Sequence, residues 1–277
     1  MKYYEDNQKR LVFISEHATA EYWDKHWSMG ENIKYSRARI LTGKNNRFIL
    51  KWTKKYLNSG KILEGGCGIG SIVCALQYHG YDAYGVDFAI ETIKKTNAAA
   101  PEIKVFSADV MYLPFQESTF DGYWSLGVIE HFYSGYELIA DEMMRVLKPG
   151  GVLFLGFPYM SPIRQLKVLL RQYPQWDKNN EVGSFFQFAL NKNIIIHDFE
   201  KRGFELLNKK SFAGLGGLMD ESETIKSFIQ HRLRNHNDYA EKTAQIAIKR
   251  SIIGRIIDSL LNSFTGYSIL LVLRKRS

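Results

Sequence analysis

The stretch Ile62-Leu63-Glu64-Gly65-Gly66-Cys67-Gly68-Ile69-Gly70 closes a short apolar run with a glycine-rich turn, and a helical pattern follows it. Such a turn takes a strand into a helix. Its glycines let the backbone bend sharply and come close to a ligand, where a Cβ would block both. Taken alone, the same turn also occurs with no ligand. Asp87 adds to the reading. It ends the next strand, Tyr84-Gly85-Val86-Asp87, so in a doubly wound sheet its carboxylate lies beside the turn and can accept hydrogen bonds from a ribose diol. Asp109, in Ser107-Ala108-Asp109-Val110, ends the third strand at the same edge, where it can meet an adenine amino group. Either carboxylate could instead cap a helix or form a turn. Three such features in register along the ligand-binding edge of an α/β sheet outweigh that alternative.

Outward from this stretch, strands are predicted at 61–65, 83–87, 104–108, 122–126, 151–157, 204–212 and 267–274. Helices are predicted at 69–79, 90–99, 135–147 and 193–202. The alternation implies a doubly wound, mostly parallel sheet, and the closing strands, lacking a βαβ crossover, imply an antiparallel edge. Before it, 17–27 and 45–56 are amphipathic and helical. The expected organisation is an N-terminal helical lid over 1–60, then one α/β domain over 61–277 with cap insertions at about 158–190 and 213–266.

At 277 residues and 45% hydrophobic, the chain can bury a core without disulfide or metal staples. No apolar run reaches the roughly 18 residues of a membrane span, and the N-terminus lacks the apolar core of a secretory signal, so a cytoplasmic protein is expected. Cys67 and Cys74 read as reduced thiols, and no Cys/His cluster has metal-ligand spacing, so no metal is expected. The net charge of +8 is local. Seven basic residues stand against Asp258 in 242–277, and four against Asp177 in 164–178. These segments suggest an anionic partner or only a solvated face.

Further motifs extend the series: Ala108-Asp109-Val110-Met111-Tyr112-Leu113-Pro114-Phe115, Ser118-Thr119-Phe120-Asp121, Gly127-Val128-Ile129-Glu130-His131 and Arg145-Val146-Leu147-Lys148-Pro149-Gly150-Gly151. In this order, residues 62–158 resemble the class I S-adenosylmethionine-dependent methyltransferases, most of all the small-molecule group called type 11. The resemblance implies a Rossmann-like fold and S-adenosylmethionine as cofactor. It also implies a loop (Glu64, Gly66, Gly68, Gly70) around the amino acid part of the cofactor, Asp87 on the ribose and Asp109 at the adenine. Two positions depart from the family: Gly65 replaces an aliphatic residue, and Ala89 replaces a Ser that often caps the next helix. A nicotinamide-dependent oxidoreductase would want Gly or Ala at Ser71. A non-catalytic cofactor-binding protein would share the loop and differ in the acceptor pocket.

A sulfonium methyl group is already electrophilic, so the chain has mainly to align an acceptor and exclude water. His131 is the first choice for a base toward a hydroxyl, with Glu130 and Tyr159 behind it. Trp23 and Trp27 either pack one helix face or cover the cofactor, with Arg37, or equally Arg39, reaching the methionine carboxylate. The Ser125-Leu126-Gly127 turn argues against nucleic-acid amino groups as acceptors. The expected acceptor is a hydroxyl of a small molecule, sugar or lipid-linked glycan; a quinone, another lipid or RNA is the alternative. The insertion from Phe157 to Tyr173, with Phe185-Phe186-Gln187-Phe188, is similar to those of methyltransferases in cell-surface polysaccharide pathways. Apolar and basic residues alternate at Ile163, Arg164, Leu166, Lys167, Leu170 and Arg171, and recur around Lys249, Arg250, Ile252, Ile253, Arg255, Ile256, Ile257, Leu260 and Leu261. Both patterns suit peripheral contact with the inner membrane face, or core packing. The oligomeric state is left open.

Overall fold

The computed structural model describes residues 1–28, 37–177, 185–234 and 252–277. Lys249 and Arg250 of the C-terminal basic pattern lie outside them. The chain opens on a hairpin, β1 (Lys2–Glu5) and β2 (Arg10–Ile14), followed by helices α1 (Ala20–Ser28), α2 (Arg37–Leu41) and α3 (Arg47–Tyr56). The alternating unit comes next: β3 (Lys61–Gly65), α4 (Ser71–Tyr78), β4 (Asp82–Asp87), α5 (Ile90–Ala99), β5 (Val105–Ser107), β6 (Phe120–Leu126), α6 (Glu137–Val146) and β7 (Leu147–Pro158). Helix α7 (Pro162–Leu169), β8 (Phe185–Ala189), α8 (Lys192–Lys201), β9 (Phe204–Phe212), α9 (Gly214–Glu221), α10 (Glu223–Arg234), α11 (Ile252–Thr265) and β10 (Ser268–Lys275) complete it.

Seven strands form the central sheet in the order β5-β4-β3-β6-β7-β10-β9. The first five are parallel. The antiparallel end is there as expected: β10 runs against both β7 and β9. Strand β7 shows why these residues belong in the middle. Leu153, Leu155 and Phe157 face one core, Val152 and Phe154 face the other, and all five are buried. A strand covered on both faces reads as an unbroken apolar run. Strand β10 does the same with Ile269, Leu271 and Leu273 against Leu270 and Val272. Trp124 of β6 stacks on Phe154 at 4.3 Å and donates its indole N–H to Thr53 of α3, 3.0 Å away.

The N-terminal region differs from the all-helical expectation over 1–60. Its first residues form the β1-β2 hairpin, and β2 pairs antiparallel with β8 from the insertion, making a three-stranded sheet. The insertion after β7 is likewise helix plus strand. Helices do follow at α1 and α3, where Asn46 caps α3 by accepting from Ile49 N–H.

Two cations of the insertion pattern, Arg164 and Lys167, are turned inward. Arg164 is fully buried, ion-paired to Asp220 at 2.8 Å and Glu221 at 2.9 Å. Lys167 pairs with Glu221 at 2.9 Å, and Lys2 with both carboxylates. Of the three cations in that pattern Arg171 alone stays exposed, beside exposed Leu166, Leu169 and Leu170. Among the described residues no helix is long and apolar enough to cross a membrane.

Candidate functional site

The parallel strands all end on one edge, and the loops leaving β3, β4, β5 and β6 surround a cleft of about 870 Å³. Gly66, Asp87 and Asp109 line it where β3, β4 and β5 end, and His131 lines it beyond β6. The loop is built from backbone bonds: Gly66 and Cys67 N–H both donate to Val86 O, at 2.8 and 3.0 Å. Gly68 has φ +51°, and a Cβ there would meet the Trp27 indole at 2.6 Å. Glycine is required twice over at this position.

Asp87 braces this loop. One carboxylate oxygen accepts from Gly68 N–H at 2.7 Å and the other from Ala89 N–H at 2.9 Å. Burial raises its pKa against those amides. The carboxylate therefore fixes the loop and the start of α5 at the same point where it borders the cleft. Asp109 accepts from Met111 N–H at 2.8 Å, and Val110 and Met111 line the wall beside it.

Glu64, Gly68 and Gly70 stand behind the lining rather than in it. Glu64 is buried and accepts from Val73 N–H at 3.2 Å, capping α4 from the strand, because Gly70 at the cap position has no side chain to do so. Burial, with the charge of Asp87, holds its pKa well above the ordinary range. Both departures from the family pattern have structural counterparts. A Cβ at Gly65 would collide with the Tyr123 hydroxyl, which fills that space. At Ala89 the missing cap is supplied by Asp24 of α1, which accepts from Thr92 N–H and Oγ1, each at 2.8 Å.

Arg37 does not reach the cleft: it pairs with Glu102 at 2.7 Å on the surface. Arg39 contacts Thr42. Among the described residues the cleft is lined by no Lys or Arg. Asp87 and Asp109 thus suit a cofactor that carries positive charge, whereas a diphosphate would meet carboxylates with no cation. The residues at hand fit S-adenosylmethionine.

Trp23 and Trp27 face the cleft, as does His26 between them, and none of the α1 residues is fully buried. The helix is a cover. His131 Nδ1 donates to the Phe186 carbonyl at 2.8 Å, a pairing that leaves Nε2 as an acceptor. Its ring lies edge-on to Trp23 at 5.1 Å and to Phe186 at 5.0 Å, and burial pushes its pKa down to about 4. Tyr159 lies outside the lining, buried under Lys192. Phe186, Gln187 and Tyr267 do line the cleft, and Gln187 donates to the Tyr267 hydroxyl at 2.7 Å. The sequence places Phe185-Phe186-Gln187-Phe188 with the insertion on the acceptor side, whereas Tyr267 reads only as the start of a strand.

Residues 63–155 match the model of the methyltransferase domain family. The chain is 34% identical over 100 residues to the 2-methyl-6-phytyl-1,4-hydroquinone methyltransferase of Synechocystis, covering 34% of this chain and 31% of that protein. It is 28% identical over 173 residues to the demethylmenaquinone methyltransferase of Staphylococcus aureus, covering 56% of this chain and 71% of that one. Among solved structures, the [4+2]-cyclase SpnF superposes with a TM-score of 0.57 at 14% identity, over 96% of this chain and 98% of that one. That last likeness shows the fold alone.

Proposed function

We propose that this chain, an S-adenosylmethionine-dependent methyltransferase by its domain and its cleft, methylates a hydroxyl on a flat apolar ring of the hydroquinone class. The observation that carries the reading is the wall of the cleft beyond β6, made by Phe132, Tyr133, Phe157, Phe186, Phe212 and Tyr267. Planar aromatic bodies pack well on such faces. The Synechocystis and Staphylococcus relatives, named for a hydroquinone and demethylmenaquinone, support the ring class of the acceptor. A sugar or lipid-linked glycan, the expectation from the insertion, is the principal rival.

When bound, the cofactor supplies a methyl group on a positively charged sulfur. The rest falls to the chain. Asp87, Gly66 and Asp109 hold one end, and the aromatic walls hold the acceptor with one lone pair in line and water excluded. His131 Nε2 accepts a hydrogen bond from the reacting hydroxyl. Its low basicity means the proton moves late, once the new O–CH₃ bond has made the oxygen strongly acidic. The S–CH₃ bonding pair stays on sulfur, and the proton leaves through the imidazole to solvent.

The test supplies methyl-labelled cofactor with a 1,4-naphthohydroquinone, a nucleotide sugar, a lipid-linked glycan and tRNA. Label in the naphthohydroquinone is the expected result. Label in the glycan or tRNA, or in nothing, overturns the assignment.

A further inference from the structure

One polar group in the cleft is left idle by this scheme. Glu130 sits in the 3-10 turn Ile129–His131, is 2% exposed and lines the cleft, yet its Oε2 has no hydrogen-bond partner. A carboxyl oxygen buried without a donor or a cation is costly, and in a residue of the cleft wall a ligand can complete it.

The groups around it supply no countercharge. His131 beside it is neutral, and Tyr133, Gln187 and Tyr267 complete the near wall. Asp87 and Asp109 lie at the cofactor end, and His17 and His26 come from the N-terminal cover. Arg164 lies behind the Tyr267 ring, 4.9 Å from its centre, and is engaged by Asp220 and Glu221. Burial therefore pushes the Glu130 pKa up to about 8, the backbone amides of Glu130 and Val128 pulling weakly the other way. At neutral pH the group is an acid with a proton to donate.

We propose that Glu130 reads the acceptor: its carboxyl, in a residue that lines the cleft and with Oε2 left without a partner, hydrogen-bonds to the second oxygen of a two-oxygen ring whose first oxygen sits at His131. The assignment rests on the hydroquinone reading. It makes the pair of adjacent residues complementary, one donating and one accepting, so that a ring with a single oxygen leaves Glu130 unsatisfied.

The probe is 2,3-dimethyl-1,4-naphthoquinone, which has no ionisable proton and no open quinone carbon for a thiol to attack. Its binding is read by quenching of tryptophan fluorescence, since Trp23 and Trp27 border the cleft. S-adenosylhomocysteine, whose sulfur is uncharged, is present throughout, and thermal melts check the fold of each variant. Wild-type affinity should fall about tenfold between about pH 7 and about pH 9 as Glu130 ionises. Glu130→Gln, which keeps a donor that does not titrate, should bind with a flat profile, and Glu130→Ala should bind roughly tenfold more weakly at neutral pH, also flat. Wild-type binding that ignores pH, or a fall that persists in Glu130→Gln, overturns this assignment alone. No binding by the wild type at any pH overturns this assignment alone, because a quinone offers His131 no hydroxyl; the hydroquinone reading stands or falls on the methyl-label test.

Discussion

His131 combines two properties that pull against each other. Burial keeps it neutral, so Nε2 is free to accept a proton across the neutral range, while the same burial makes it a weak base. Turnover should therefore hold as pH is lowered past the ordinary histidine range and fall only near pH 4, where the ring charges. The stability consequence has a definite sign. With the folded pKa below the unfolded value, the unfolded chain binds the extra proton, so stability is full above about 6.5 and declines as pH falls toward about 4. The decline from this group is on the order of 3 kcal/mol. Denaturant titrations of the wild type and His131→Phe should show it: the variant loses that part of the acid slope, and an identical slope would mean that the ring is solvated in the folded chain.

Asp24 ties helix α1 to the first turn of α5, beside the ring contacts that Tyr22 and Trp23 make with Phe186 and His131. Asp24 accepts from the Thr92 backbone N–H, the bond that a serine at Ala89 would otherwise take, so the cover is tied to the first turn of α5. Asp24→Ala should cost about 1 kcal/mol of stability, as lost caps do. Because Trp27 of the same helix lies against Gly68, the variant should also raise KM for the cofactor more than it lowers kcat, measurable in steady-state assays at varied cofactor. A fall in kcat with KM unchanged would place the role of α1 in the chemical step. These elements also show what was legible beforehand. The predicted helix 90–99 and strand 204–212 coincide with α5 and β9, because their periodicity is local. The hairpin was not legible as part of a sheet. Arg10, Leu11, Val12, Phe13 and Ile14 make a good strand, but the partner that completes it, β8, lies more than 170 positions away.

Over the whole molecule, the same limit explains Arg164. Its spacing on α7 reads as a solvated or lipid-facing cation, and only the fold brings Asp220 and Glu221, 56 and 57 residues on, against it. That cluster joins the hairpin through Lys2, the insertion through Arg164 and Lys167, and α9 through its two carboxylates. That Gly66, Asp87 and Asp109 would meet at one cleft was legible because each stands at the end of its own strand, or just past it, at one edge. The acceptor half was not, because Phe186, Gln187 and Tyr267 reach it from segments whose placement depends on long-range pairing.

The carboxylate-lined edge of the sheet, where no Lys or Arg lines the cleft among the described residues, is read as an S-adenosylmethionine site braced by Asp87. Isothermal titration tests it most directly, with S-adenosylhomocysteine and NADH each titrated into the wild type and Asp87→Ala. Loss of Asp87 removes the acceptor of two loop and helix amides. The account predicts one-site binding of S-adenosylhomocysteine, weakened by about 1.5 to 3 kcal/mol in the variant, and no binding of NADH. Saturable NADH binding, or equal S-adenosylhomocysteine affinity in the two proteins, would contradict it.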